Sequence, residues 1–389
     1  MGRFTLQEGD PLATQFTITH HFRKLKDPRI NRRKKHQLLD IVVIALCAVI
    51  CGAEDWQQIV AFGRERYDWL ARFLALTNGI PSHDTFERVF DRVDARAFHQ
   101  CFQSWVDALA EKLKIKHIAI DGKTLRGSRS DKLGALHLVS AWATEHHLSL
   151  GQVATAEKSN EITAIPDLLE LLDLKGAIVT IDAMGCQKAI ATKIVDCGGH
   201  YILTAKDNQP NLVEDIRSAL EKAVESDFEG VRFDQHSTYD KGHGREENRH
   251  YTILIDPEGI RNKDEWTDLK VIGMCVRERK VGQAEPSTEV SFFIGDKVMS
   301  AKQYGKALRN HWGIENNLHW QLDVSFAEDE NRVAKRNGAE NLSMLRRIAL
   351  MMLKRHPSKD SFAVKQFVAA LSPKFLEEVL NANANPGKV

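Results

Sequence analysis

The chain has 389 residues, 43% of them hydrophobic and 28% charged, with 54 Lys and Arg against 53 Asp and Glu. That length is more than one hydrophobic core usually supports and predicts two or three domains. A formal net charge of +1 excludes a polycation, so affinity for nucleic acid has to come from local clusters of basic residues.

The six cysteines (Cys47, Cys51, Cys101, Cys186, Cys197, Cys275) form no CxxC pair. This argues against structural zinc and for reduced thiols of a cytosolic protein. The opening "MGRFTLQEGD" does not read as a signal peptide. The apolar run Ile41 to Cys51 is too short to span a bilayer and is flanked by Asp40, Glu54 and Asp55, so a buried helix and a cytoplasmic location without membrane contact are expected.

Residues 1–25 read as a loosely structured segment. In "FRKLKDPRINRRKKH" basic residues crowd around Asp27. Arg32, Arg33, Lys34 and Lys35 form either a solvated arm or one that contacts phosphates. Residues 26–114 carry helical signals and are expected to form a helical domain. "HQLLDIVVIALCAVICG" stops at Gly52, and Trp56, Ile59, Val60, Gly63, Tyr67, Leu70 and Leu74 recur at helical spacing. Ser82 is a predicted N-cap. The stripe Phe98, Phe102 and Trp105 reads as core packing.

After Lys114 the pattern becomes β-β-β-α-β-α-β-α: "HIAIDG", "ALHLVSAWAT", "LSLGQVAT", "SNEITAIPDLLELLDL", "GAIVTIDA", "QKAIATKIVDCGG", "HYILTA" and "NLVEDIRSALEKAVE". Residues 228–296 interrupt it with four strands, and two long helices follow, "SAKQYGKALRNHWGIENNLHWQLD" and "GAENLSMLRRIALMMLKRH". Residues 115–356 read as an α/β domain with a β insertion. Residues 357–389 read as a polar tail with one weak helix.

Asp121 and Asp182 each close an apolar strand, and in α/β sheets ligands gather outside the carboxyl ends of strands. If those strands are parallel neighbours, the two carboxylates face each other across about 5 Å. Such a pair repels itself unless a cation intervenes. Oxygen-only ligands point to magnesium or manganese. Glu315, on a helix face shared by Trp312, His319 and Leu322, is the candidate third ligand, with Asp323, Glu328 and Asp329 as rivals. The set suits two-metal phosphoryl transfer. Lys123 and Arg126 would then stand where phosphates pass.

"IAIDGKTLRGS", "EKSNEITAIPDLL", "IVTIDAMGCQKAIA", "YILTAKDNQPNL" and "RNHWGIENNLHWQLDVSFAED" closely resemble the bacterial H-repeat-associated (Rhs-element-associated) insertion-sequence transposases. The N-terminal "LKDPRINRRKKHQLLDIVVIALCAVICGAEDW" and "NGIPSHDTFERVF" resemble the helical domain that precedes their catalytic core. The resemblance spans about residues 20 to 356. It implies a DDE transposase with an RNase H-like core, two Mg²⁺ ions held by Asp121, Asp182 and Glu315, strand transfer at terminal inverted repeats, and a homodimer on double-stranded DNA. One departure stands out. Where related transposases carry Tyr, Arg and Lys around the glutamate, this chain has Leu308, His311 and Leu322. Arg309, His319 or Lys335 could take over phosphate contact.

Lys206, Asn208 and Gln209 follow "HYILTA" and read either as DNA-backbone contacts or as a polar loop. "KSNE", residues 158–161, reads as a capped helix start, with a site role as the alternative. Arg346, Arg347, Lys354 and Arg355 read either as a DNA face or as a solvated helix face. Trp312 reads first as core, with base stacking as the alternative. Two competing functions share the carboxylates or the DNA: a metal-dependent DNA endonuclease without strand transfer, and a domesticated DNA-binding remnant. Ala119 stands where a ligase-type lysine would be needed, and no P-loop is present.

Overall fold

The computed structural model describes residues 17–30, 34–110, 113–128, 135–155, 161–242, 244–331, 333 and 336–381. Among the described residues the leading helices are α1 (Thr17–Phe22), α2 (Leu38–Ile50), α3 (Trp56–Glu65), α4 (His83–Arg92) and α5 (Ala95–Ala110), with a single helical turn, Tyr67–Leu70, between α3 and α4. The α2 sequence is apolar on every side, and the helix is correspondingly enclosed, Asp40 included. It ends where Gly52 takes φ +94°, a conformation that favours glycine. Asp55 caps α3 by accepting from the Gln58 amide. Phe98, Phe102 and Trp105 are buried in the core, as their spacing predicts. Within the segment read as loose, residues 17–22 form a helix whose Ile18 and Phe22 are buried.

The nine strands are β1 (His117–Leu125), β2 (Leu136–Ala143), β3 (Leu148–Thr155), β4 (Ile178–Ile181), β5 (His200–Ala205), β6 (Arg232–Gly242), β7 (Arg245–Ile255), β8 (Val271–Val281) and β9 (Ser287–Gly295). They form one mixed sheet in the order β3-β2-β1-β4-β5-β9-β8-β7-β6. Strands β1, β2 and β3 pair antiparallel, and β1, β4 and β5 pair parallel. This is the mixed α/β arrangement expected of an RNase H-like core. Helices α6 (Glu161–Glu170), α7 (Lys188–Asp196) and α8 (Pro210–Glu225) connect its later strands.

One expectation changes and one gains detail. The four strands of the β insertion extend the core sheet, since β9 pairs with β5. The segment read as one long helix is α9 (Ala301–Ile314), a π-helical turn (Glu315–His319) and α10 (Trp320–Phe326).

Helix α11 (Arg336–Arg355) leaves the sheet and packs on α2, α4 and α5. One apolar cluster therefore joins Ile41 and Phe98 of the leading helices to Ile118 of β1 and Leu345 of α11. Arg346 and Arg347 are neither a DNA face nor a solvated one; both are buried. The tail holds two helices, α12 (Phe362–Leu371) and α13 (Pro373–Asn381), where one was expected. Among the described residues no helix is long and apolar enough to cross a membrane.

Candidate active site

The last parallel rung between β1 and β4 is Ile120↔Ile181, so Asp121 and Asp182 are the next residues on neighbouring strands. Strand β1 does not end there. It runs on to Leu125 against β2, so Asp121 closes the parallel pairing and not the strand. Asp182 instead turns the chain, its Oδ1 accepting from the amides of Met184 (3.1 Å) and Gly185 (3.4 Å). Burial, then the charges of Asp121 and Glu161, push the Asp182 pKa up. Burial opposes ionisation of Asp121 too, but His319, whose Nδ1 lies 3.4 Å from Oδ2, and the more distant His311 hold its pKa below the usual carboxylate value. The two acids thus carry opposite shifts, as coupled like charges do.

Glu315 opens the π-helical turn and is exposed. Such turns widen a helix and recur at functional sites. Asp121, Asp182 and Glu315 line one cleft of about 610 Å³. They share the cleft without closing on one point: among the described residues no three His, Cys, Asp or Glu side chains stand close enough to hold a metal ion. The rivals Asp323, Glu328 and Asp329 are engaged elsewhere. They surround Lys123 at 2.5, 3.3 and 3.2 Å.

That contact corrects the expectation for Lys123. It is only 7% exposed and neutralises Asp323 of α10 and Glu328 and Asp329 of the turn that follows, so it is not open to phosphates. Glu328 is fully buried, with Arg347 3.2 Å away and Ser343 donating to it at 2.8 Å. Arg126 remains exposed, near Asp329 at 3.6 Å. Asn208 donates to the Ala183 carbonyl (2.6 Å) and Gln209 to that of Cys186 (2.8 Å), so both brace the turn after Asp182. Lys206 lines the cleft. His319 is buried against Asp121, and His311 is tied to Thr180 Oγ1 at 3.1 Å. Leu322 is fully buried and offers no replacement for the family's lysine. Trp312 is 55% exposed at the cleft, contrary to the core reading. Lys34 lies 3.4 Å from Asp27, and Lys35 lines a second cleft with Arg29, Arg88 and Arg92. Arg32, Arg33 and Lys335, with most of "KSNE", lie outside the described residues.

Two groups were underrated or missed in the sequence, the first at the end of "KSNE". Glu161, the first described residue of α6, is buried with its Oε1 2.5 Å from His137 Nε2, and His137 Nδ1 hydrogen-bonds Thr124 Oγ1 at 2.9 Å. This pair fills the space over Gly122, where a Cβ would collide with both side chains, so any larger residue beside Asp121 would have to push them aside. The second group is Arg245, Arg249, Arg277 and Arg279, which line the cleft from β7 and β8. Their i, i+2 and i, i+4 spacing is a strand-face signal present in the sequence.

The chain matches the family model for the Transposase DDE domain over residues 112–352 and the DDE_Tnp_1-associated model over residues 19–106. It is 41% identical to "Putative transposase YncI" of Escherichia coli O157:H7, covering 92% of each chain. It is 39% identical to "H repeat-associated putative transposase YhhI" of Escherichia coli K12, covering 93% of this chain and 97% of that one. A solved piggyBac transposase synaptic complex with hairpin DNA aligns at a TM-score of 0.42 and 10% identity, over 94% of this chain and 81% of that one. With one family model spanning more than half its length and relatives near 40% identity along nine-tenths of it, the chain belongs to the DDE transposases.

Proposed function

We infer that this protein cleaves DNA phosphodiesters and transfers the strand at an element's terminal inverted repeats, with Asp121 and Asp182 as metal-holding carboxylates and Glu315 completing the triad from the π-helical turn. The observation that carries the reading is the placement of Asp121 and Asp182 as consecutive neighbours past the last parallel rung, one raising the proton affinity of the other. Acceptor-only oxygens side by side, with no Lys or Arg paired to either among the described residues, fit a hard divalent cation.

Magnesium or manganese ions bound there would activate a water or a 3′-hydroxyl and stabilise the leaving oxygen. The chain's own groups do the rest. His319 orients Asp121, and the amides of Met184 and Gly185 orient Asp182. Asn208 and Gln209 fix the turn that carries those amides. Glu315 is exposed on the same cleft, free of the ion pairs that occupy Asp323, Glu328 and Asp329. The arginines that line the same cleft as the acids suit a polyanion, and double-stranded DNA is the partner expected for a transposase.

The test is Mg²⁺- or Mn²⁺-dependent cleavage and joining of DNA bearing the terminal repeats. Asp121→Asn, Asp182→Asn and Glu315→Gln should each abolish both while leaving DNA binding and folding intact. Cleavage without joining would make the protein an endonuclease, and cleavage that survives Asp182→Asn would overturn the assignment.

A further inference from the structure

The β7–β8 face of the cleft is built against its own stability. Arg245, Glu247, Arg249 and Tyr251 alternate to one side of β7, and Cys275, Arg277 and Arg279 to the same side of β8. The register sets Arg249 directly opposite Arg277, and like charges in that position destabilise a sheet. Packing gives no reason for the choice, because Tyr251 and Cys275, one rung closer to the core, already show that uncharged side chains fit the face.

Three acids relieve the repulsion. Asp240 of β6 accepts from Arg249 Nη1 at 3.1 Å and from Arg309 Nη1 of α9 at 2.5 Å. Glu247 pairs with Arg249, and Glu289 of β9 pairs with Arg277. Neither Arg245 nor Arg279 has a carboxylate within 4 Å among the described residues; Glu247, across from Arg279 in the register, is taken up by Arg249. Asp240 is 44% exposed, so water screens its two ion pairs and they are readily exchanged. A phosphodiester presents the same acceptor geometry to a guanidinium as a carboxylate does.

We propose that this arginine face is a phosphate track for one DNA strand, that Arg245 and Arg279 are its open positions, and that Asp240 stands in for a phosphate on Arg249 and Arg309 until DNA displaces it. The inference rests on reading the cleft as a DNA site. It assigns to the β insertion the task of holding the strand's backbone in the cleft that it shares with the acids of β1 and β4.

The experiment is fluorescence anisotropy of a short labelled duplex of arbitrary sequence, without divalent metal, across a salt series, using the full chain. The double variant R245A/R279A should bind more weakly and flatten the slope of log affinity against log salt by about 1.8, at roughly 0.9 per lost phosphate contact. Between roughly 50 and 200 mM salt, wild type should then lose about tenfold more affinity than the double variant. D240N should act in the opposite direction, tightening binding several-fold and steepening the slope. A residue there for folding alone would not tighten binding when lost. Thermal melts identify any variant that fails to fold, and R245A and R279A taken singly then carry the test. If wild type binds DNA with a steep salt slope and neither variant moves it, the arginine track is overturned while the wider DNA assignment stands. If wild type does not bind DNA at all, both fall.

Discussion

Lys123→Met separates a structural cation from a DNA contact. The side chain is 7% exposed and meets Asp323, Glu328 and Asp329 within 3.3 Å. Removing one partner of a buried charge network costs about 3–5 kcal/mol, because the opposite charge is left unpaired in a poor solvent. Here Asp323 and Asp329 keep some water, and Glu328 keeps Arg347, so the loss belongs near the lower end, about 3 kcal/mol. Methionine preserves the apolar stem, so little of that loss comes from packing. The pH behaviour supports the assignment. Burial alone would lower the lysine pKa, but the three acids outweigh it and raise it. The stabilisation is therefore fully present below the ordinary lysine pKa and fades only as pH rises through the higher folded value. The assay is urea unfolding followed by tryptophan fluorescence at neutral pH, alongside DNA binding below the transition. A lower midpoint with an unchanged m-value and unchanged DNA affinity is expected. An unchanged midpoint with weaker, less salt-sensitive DNA binding would refute the reasoning and return Lys123 to the phosphate path.

Glu328→Gln should lower stability near neutral pH, and its gap to wild type should narrow as pH falls. Burial opposes ionisation of Glu328, but Arg347 and Lys123 hold its pKa from 4.5 down to about 2, so its contribution of roughly 3 kcal/mol is present above 4.5 and lost on the way to 2; an equal gap in unfolding midpoints at about pH 6 and about pH 3 would contradict this. Gly122→Ala should cost about 1–3 kcal/mol, since the added methyl meets Glu161 and His137. It should also weaken Mn²⁺ binding by displacing the strand beside Asp121, whereas a thermal melt and a metal titration both matching wild type would show that the space can relax.

Asp121 and Asp182 stood out because each interrupts an apolar run at a place where α/β sheets bind ligands, but that their strands are parallel neighbours was only a condition in the sequence and is supplied by the β1–β4 pairing. Period-two alternation and helical stripes likewise located the leading helices and the first five strands. Contacts between distant residues left no such mark. The Arg346-Arg347 pair looks like a surface charge run until Glu328 is seen beneath it, brought there by the turn after α10. Lys123 looked like a phosphate contact for the same reason: its acidic partners are 200 and more residues away. Glu161, at the start of helix α6, finds His137 on strand β2. The π-helical turn changes the phase of the helix just where side-chain directions were being counted, so Trp312 faces the cleft while Leu322 faces the core. The arginines of β7 and β8 did follow a readable alternation, but only the pairing of β9 with β5 shows that their face lines the acid cleft.

The central claim is that Asp121 and Asp182 together grip a divalent ion. Calorimetric titration of Mn²⁺ into the folded, DNA-free protein tests it most directly, with Asp182→Asn and Asp121→Asn as the comparison. Saturable binding to wild type that disappears in either variant, with melting temperatures preserved, is the predicted result. Binding of equal strength in wild type and Asp182→Asn would contradict the account.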